Sequence, residues 1–570
     1  MSLGCKNTRR PRTGPSSSLG LILAALLLLV GSVATASAAP PAAGIASAHP
    51  AATRAGHAIL ADGGNAFDAA VAVSAALAVA EPYGSGLGGG GFWLLHRAAD
   101  GHEVMVDGRE RAPLAATRDM YLDAQGDPVP GLSIAGPLAA GIPGTPAALV
   151  HLAERYGRLP LARSLAPAIA LARDGVEVDA QYTRLAGFRL EALRAGSGSS
   201  PFLDAGEPPA PGWLLRQPAL ARTLEHLARE GHAGFYASAV ARALVDGVRE
   251  AGGIWSAEDL TAYRVVEREP VRGRVGELSF TAAALPSSGG IVLAQILNVL
   301  ADDPLADLDQ AARDHLLIEA MRRAYRDRAA HLGDPDQVAV PVARLLSPDY
   351  AAGLRAGIHP ERATPSDLLP GVSDPARGSD TTHFSVIDRE GNRVAATMSL
   401  NYPFGSGFVV PGTGVLLNDE MDDFSIRPGV PNVYGLVGNE ANAIAPGKRM
   451  LSSMTPTFLD DGRRVAILGT PGGSRIITMV LLATLEFMRG GDAEALVALP
   501  RFHHQYLPDR VQFEPGAWSK SRAAALAARG HEVQRLERTW GDMQAVIWDR
   551  MGDRVEAASD PRGGGLAEVR

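Results

Sequence analysis

The residue with the most chemistry on offer is Thr381, in the stretch GSDTTHFSVIDREGNRVAATMSLN from Gly378 to Asn401. If the Asp380–Thr381 peptide bond is cut, Thr381 carries a hydroxyl beside a free α-amine, a nucleophile with its base built in. An α-amine titrates near ~7.7 to 8.0, so part of it is unprotonated at neutral pH and no histidine is required. A Thr-Thr pair also opens many strands for no chemical reason, because β-branched residues suit a pleated surface; the stretch alone leaves both readings open. Gly472-Gly473 precedes an apolar helical run, and two backbone N–H groups at a helix start can hold a developing oxyanion or belong to an ordinary turn. In VDGRERAP, the charges Arg109, Glu110 and Arg111 stand at a strand end, a pattern that usually marks a solvated face.

These residues need a scaffold. After Thr381 the side chains alternate, with Thr382, Phe384 and Val386 on one face and His383, Ser385 and Ile387 on the other. The turn Asp388 to Asn392 follows, and the whole predicts a β-hairpin. Upstream, ATRAGHAILADGG and NAFDAAVAVSAALAVAEP read as two helices, the second capped by Asn65 with Asp68 in its first turn and buried by its Ala/Val content. Gly84, Gly86 and Gly89 form G-x-G-x-x-G, but they follow a helix and lead into a strand. That is the reverse of a dinucleotide fingerprint and favours tight turns and close backbone contact. Residues 145 to 275 read as mainly helical, AARDHLLIEAMRRAYRDRAAHLG as one long amphipathic helix, and Leu346 to Asp380 as a mobile connection. Strand-like pieces follow at Phe408 to Val410 and Gly414 to Leu417, then TPTFLD and RRVAILG joined by a turn at Asp460 to Gly462.

At 570 residues the chain can form two to four domains or one large multilayer α/β body. A basic stretch (Lys6, Arg9, Arg10, Arg12), an apolar run from Leu19 to Val30 and small residues at Ala34, Ala36 and Ala38 predict a signal peptide over 1–38. Export to the periplasm or medium is therefore expected, with no stable membrane anchor after cleavage. Cys5, the only cysteine, would leave with it, so the mature protein would have neither disulfide nor thiolate metal site. Losing four positive charges takes the formal net charge from -8 to -12, which argues against nucleic acid as a partner.

Taken with Thr381, a further set of motifs in fixed order closely resembles the γ-glutamyltransferase (γ-glutamyl transpeptidase, glutathione hydrolase) family of N-terminal-nucleophile hydrolases. They are EPYGSGLGGGGF, VDGRERAP, GIPGTPAAL, PSSGG, TTHFSV, NDEMDDFS, RPGVPNVYGLVG, LSSMTPT, GTPGGSRI and RFHHQ, from about residue 45 to the C-terminus. The resemblance implies a four-layer αββα sandwich made of two intertwined subunits from one self-cleaved precursor, a large piece 39–380 and a small one 381–570, cut between Asp380 and Thr381. It implies Thr381 as nucleophile, Ser399 as a supporting hydroxyl and Gly472-Gly473 as the oxyanion site. Arg109 with Ser452 and Ser453 would bind the substrate α-carboxylate, Asn401, Glu420 and Asp423 its α-ammonium, and Tyr434 would sit in a lid loop. Small-molecule donors such as glutathione and γ-glutamyl amides are implied, with water, amino acids or dipeptides as acceptors and no cofactor or metal.

The chemistry of such a donor agrees. A γ-glutamyl group carries both charges at one end, so its pocket needs a guanidinium for two parallel hydrogen bonds and carboxylates for the ammonium. Three departures from the family pattern, Ser399 for threonine, Tyr83 in the glycine-rich motif and Met450 before LSSM, bear on pocket shape and acceptor preference. Two alternatives share the motifs: a cephalosporin (glutaryl) acylase, whose substrate lacks the ammonium, and a non-catalytic exported binding homologue.

Overall fold

The computed structural model describes residues 1, 4, 39–196, 200–369 and 381–570. Asp380 and all of the proposed signal segment except Met1 and Gly4 lie outside the described residues, and the unit from Pro40 to Arg570 carries the fold.

Two sheets face each other at its centre. The first has seven strands in the order Leu566–Val569, Gly44–Ser47, Thr382–Ile387, Arg393–Ser399, Gly90–Arg97, His102–Gly108 and Val266–Arg268. The second has six, in the order Arg554–Ser559, Gln544–Asp549, Arg464–Gly469, Thr457–Asp460, Leu278–Ala282 and Val271–Val275. Helix Ala66–Ala80 covers the outer face of the first sheet, while Gly289–Val299 and Ile476–Met488 cover that of the second. Every residue of Ala66–Ala80 is buried, and Asn65 with Asp68 closes a capping box at its start, which supplies acceptors to backbone N–H groups that the first turn leaves unpaired. This is the αββα sandwich.

The Thr381 hairpin lies in the middle of the first sheet, with Thr382 opposite Met398. Phe384 and Val386 pack toward helix Ala66–Ala80, whereas Ile387 joins the core between the sheets and Ser385 donates to the Gln544 carbonyl. The period-2 pattern therefore assigns both faces correctly. The glycine run from Gly88 to Gly91 is a matter of close approach. A Cβ at Gly89 would overlap the Ser399 carbonyl oxygen, and one at Gly90 would lie 2.6 Å from Glu110 Oε2.

Four local expectations need correction. The helical stretch ends before Val266: Val266–Arg268 and Val271–Val275 are strands, and the V-R-G-R-V alternation at 271–275 carries that signal. Phe408 to Leu417 makes only isolated bridges, Val409 to Leu416 and Gly88 to Leu417, because a Gly/Pro turn intervenes after so few residues. The connection before Thr381 contains helix Pro348–Ala356 and a 3-10 turn at Ser366–Leu368. Helix Gln310–His331 is not amphipathic across its middle: from Asp314 to Arg328 every residue but Arg326 is buried. Some of its charges pair within the helix, Glu319 bridging Arg322 and Arg323, and others pair outward, Asp314 with Arg522 and Arg322 with Asp509.

Candidate active site

Parity along the hairpin turns Thr381 toward the second sheet. Register puts Ser399 opposite it, with the hydroxyl oxygens 3.4 Å apart. Ser399 Oγ also accepts the Asn401 backbone N–H at 2.7 Å. Thr381 is half-buried at the floor of a pocket walled by Arg109, Ser399, Asn401, Glu420, Asp423, Tyr434, Ser452, Ser453 and Gly473. Of the expected site residues only Gly472, backed by Met479, stands outside this lining; Asp380 is not described.

Arg109 follows strand His102–Gly108 and is almost fully buried. Its backbone is held at both ends: the N–H donates to Asp107 Oδ1 at 2.9 Å, and the carbonyl accepts from Tyr263 at 2.7 Å. The guanidinium donates through Nε to the Met450 carbonyl at 3.2 Å and through Nη2 to Asp423 Oδ2 at 2.5 Å. Nη1 lies 2.6 Å from Glu420 Oε2 in an ion pair buried on both sides, and Ser399 and Arg109 both hydrogen-bond the Glu420 carboxyl. Glu110 sits behind, 3.7 Å from Nη1. Burial pushes the Glu420 carboxyl above its usual range, against the pull of Arg109 and with repulsion from Asp423. Burial and Glu420 likewise push Glu110 up. Arg109 thus stands among three carboxyl groups, of which burial holds Glu420 and Glu110 toward their neutral forms.

The serine pair enters from the second sheet. Ser452 N–H donates to the Pro286 carbonyl at 2.8 Å and its own carbonyl accepts from Ser288 N–H at 2.8 Å, so LSSM is pinned to PSSGG. Sequence reasoning assigned no role to Ser288, nor to Arg328, which donates to the Ser288 and Ser453 hydroxyls at 2.9 and 3.1 Å. Glu110 was read as part of a solvated cluster and is buried instead. Asn432 was missed too: it donates to Asp423 Oδ1 at 2.9 Å and accepts the Tyr434 N–H at 3.0 Å, tying the loop to the acid. An Asx pattern two residues before Tyr434 was the available signal.

Tyr434 is buried, its hydroxyl donates to the Asn401 carbonyl, and its ring covers Gly473, where a Cβ would strike it. Gly473 has φ 56° and begins the turn leading to helix Ile476–Met488. His383 is no base for Thr381. It is buried between the sheets against Thr397 and Gly469, and burial lowers its pKa to about 3. Of the three departures, Tyr83 turns away, bonding Glu81 at 2.9 Å and packing on Tyr182 and Phe404. Met450 meets Arg109 through its carbonyl, so neither of those two side chains shapes the pocket lining.

A four-layer αββα body with a threonine heading a central strand and facing the second sheet is an N-terminal-nucleophile hydrolase fold. The gamma-glutamyltranspeptidase family model matches residues 52–569. A glutathione hydrolase proenzyme of Pseudomonas sp. (strain A14) is 43% identical over 537 residues, 92% of this chain and 91% of its own. One of Escherichia coli (strain K12) is 42% identical over 562 residues, 94% and 96%. The crystal structure of a cephalosporin acylase from Bacillus halodurans superposes with a TM-score of 0.82 at 30% identity, covering 93% of this chain and 96% of that one. The chain belongs to the gamma-glutamyltranspeptidase family.

Proposed function

We propose that this protein is an exported, self-processing γ-glutamyltransferase that cleaves the γ-glutamyl amide of glutathione and related compounds. The observation that carries the reading is the cluster of buried charged groups, the Arg109 guanidinium beside the Glu420 and Asp423 carboxyl groups, in the pocket that Thr381 opens onto. A buried ion without full hydrogen bonding is costly. A ligand bearing a carboxylate and an ammonium on one carbon matches both signs of charge: the carboxylate to Arg109, Ser452 and Ser453, the ammonium to Glu420, Asp423 and Asn401. A glutaryl donor supplies only the first.

Maturation comes first. The Thr381 hydroxyl oxygen attacks the Asp380 carbonyl carbon, the C–N bond breaks as the acyl group shifts to oxygen, and water hydrolyses the ester. The products are an Asp380 carboxylate ending the 39–380 piece and a free Thr381 amine beginning the 381–570 piece. In catalysis that amine takes the hydroxyl proton as oxygen attacks the γ-carbonyl. The N–H groups of Gly472 and Gly473 hold the oxyanion, and the leaving amine departs with the proton. Ser399 steadies the Thr381 oxygen. Water then resolves the acyl-enzyme, or an amino acid or dipeptide does so while Tyr434 restrains solvent.

The deciding experiment compares kcat/KM for γ-glutamyl and glutaryl p-nitroanilides. The reading expects γ-glutamyl to be preferred by tenfold or more, as each charged hydrogen bond is worth about 1.5–3 kcal/mol. Preference for glutaryl would make this an acylase, the activity named for the Bacillus halodurans structure. Turnover of neither would make it a binding protein.

A further inference from the structure

Arg328 projects from helix Gln310–His331 and is 5% exposed. The other two buried arginines of that helix, Arg322 and Arg323, both pair with Glu319. Among the described residues Arg328 has no such carboxylate within bonding distance: its side chain donates to the hydroxyls of Ser288 and Ser453. Burial lowers its pKa to about 10, so it stays cationic at neutral pH. A buried cation held by two hydroxyls makes a poor structural anchor, because its charge is left uncompensated.

The polarity of its hydrogen bonds shows what it can do. A guanidinium donates and never accepts, so both serine oxygens must accept from Arg328, and each hydroxyl keeps one proton to give. Ser288 gives its proton to the Ser452 carbonyl at 2.7 Å. Ser453, on the pocket wall, is left with its proton for the pocket. Arg328 also sits within electrostatic reach of Asp423 and Arg109, which puts a second positive charge behind the end of the pocket where a carboxylate would bind.

We propose that Arg328 is a positioning residue for donor recognition: it fixes the Ser453 hydroxyl as a one-way donor to the donor's α-carboxylate. This rests on the γ-glutamyl reading given above. It assigns Arg328 no contact with the substrate, so its effect passes through Ser453.

The test uses the purified, processed enzyme with two anilide donors, γ-glutamyl p-nitroanilide and its analogue carrying an uncharged α-carboxamide. Arg328→Gln is expected to raise KM for the carboxylate donor by roughly tenfold or more, the scale of a lost hydrogen bond to a charged group. For the carboxamide donor KM should move by less than about threefold, and kcat should hold for both within the same margin. Arg328→Lys, which keeps the charge and one donor, should recover part of the loss. If Arg328→Gln does not fold, the same contrast between donors is read at smaller amplitude on Arg328→Lys. In a Ser453→Ala background, Arg328→Gln should add little, because the interaction it serves is already gone. Equal losses on both donors, or losses that add to those of Ser453→Ala, would overturn the assignment and leave Arg328 as scaffold. A wild-type enzyme indifferent to the α-carboxylate would instead sink the γ-glutamyl reading, and this inference with it.

Discussion

Asp423→Asn tests the ammonium side of the pocket, and its size can be worked from two contacts. Asp423 Oδ2 accepts from Arg109 Nη2 at 2.5 Å and Oδ1 accepts from Asn432 Nδ2 at 2.9 Å. Asparagine is nearly the same shape but has a single acceptor oxygen, so whichever way the amide turns, one of the two donors faces another donor. The anion facing the ammonium disappears as well. Arg109 keeps Glu420 within 2.6 Å and the Met450 carbonyl at 3.2 Å, so its grip on a carboxylate survives. Losing a charged contact at a buried recognition site costs roughly 2 to 5 kcal/mol. Because asparagine still offers one oxygen, the lower end applies, about 2 kcal/mol or roughly 30-fold. The assay is kcat/KM for γ-glutamyl and glutaryl p-nitroanilides on processed protein, with complete conversion to two chains checked first. The γ-glutamyl value should fall roughly 30-fold or more and the glutaryl value less than about fivefold. Equal losses on both donors would refute the assignment of Asp423 to the ammonium.

Gly473→Ala should lower kcat by about 100-fold, since a Cβ at φ 56° strikes the Tyr434 ring and would displace the N–H proposed to hold the oxyanion; adding Tyr434→Ala should recover part of that. Alone, Tyr434→Ala opens the cover over the acyl-enzyme and loses the bond to the Asn401 carbonyl. Transfer to glycylglycine should then fall relative to hydrolysis, read as the product ratio at fixed acceptor. His383 is neutral in the fold, with its pKa lowered from 6.5 to about 3 by burial. The unfolded chain binds a proton there first, so this contribution is complete above pH ~6.5 and fades as pH falls toward 3, at up to about 1.4 kcal/mol per pH unit. Urea unfolding between pH 7 and 4.5 should show a shallower decline for His383→Asn than for wild type, and parallel slopes would contradict the burial argument.

What could be read in the sequence followed from how local each signal is. The Thr381 hairpin, its two faces and the Asn65 cap depend on residues within a few positions of each other, and the structure reproduces them. Most of the pocket residues came from motifs in fixed order, and the fold brings Arg109, Ser399, Asn401, Glu420, Asp423, Tyr434, Ser452, Ser453 and Gly473 to one wall around Thr381. Arg328 stands out no more than its neighbours and Glu110 reads as solvated, because a charge on a helix or at a strand end looks the same whether it meets water or protein. Burial is decided by the opposite layer: PSSGG comes about 40 residues before Arg328 and LSSM over 120 after it. The reading of Gln310–His331 as amphipathic failed for the same reason, its charged side being buried. Helix Pro348–Ala356 was hidden by flanking Pro, Gly and Asp, although Ser347 caps it with an ordinary N-terminal signal.

The central claim is that Thr381 becomes a chain terminus and takes up the acyl group. Mass spectrometry of the purified protein, before and after brief exposure to a γ-glutamyl donor and acid quench, tests it most directly. The account predicts a fragment beginning at Thr381 that gains one γ-glutamyl unit on the Thr381 peptide, and no such fragment from Thr381→Ala. An active chain still intact across Asp380–Thr381, or an acyl group on any other residue, would contradict it.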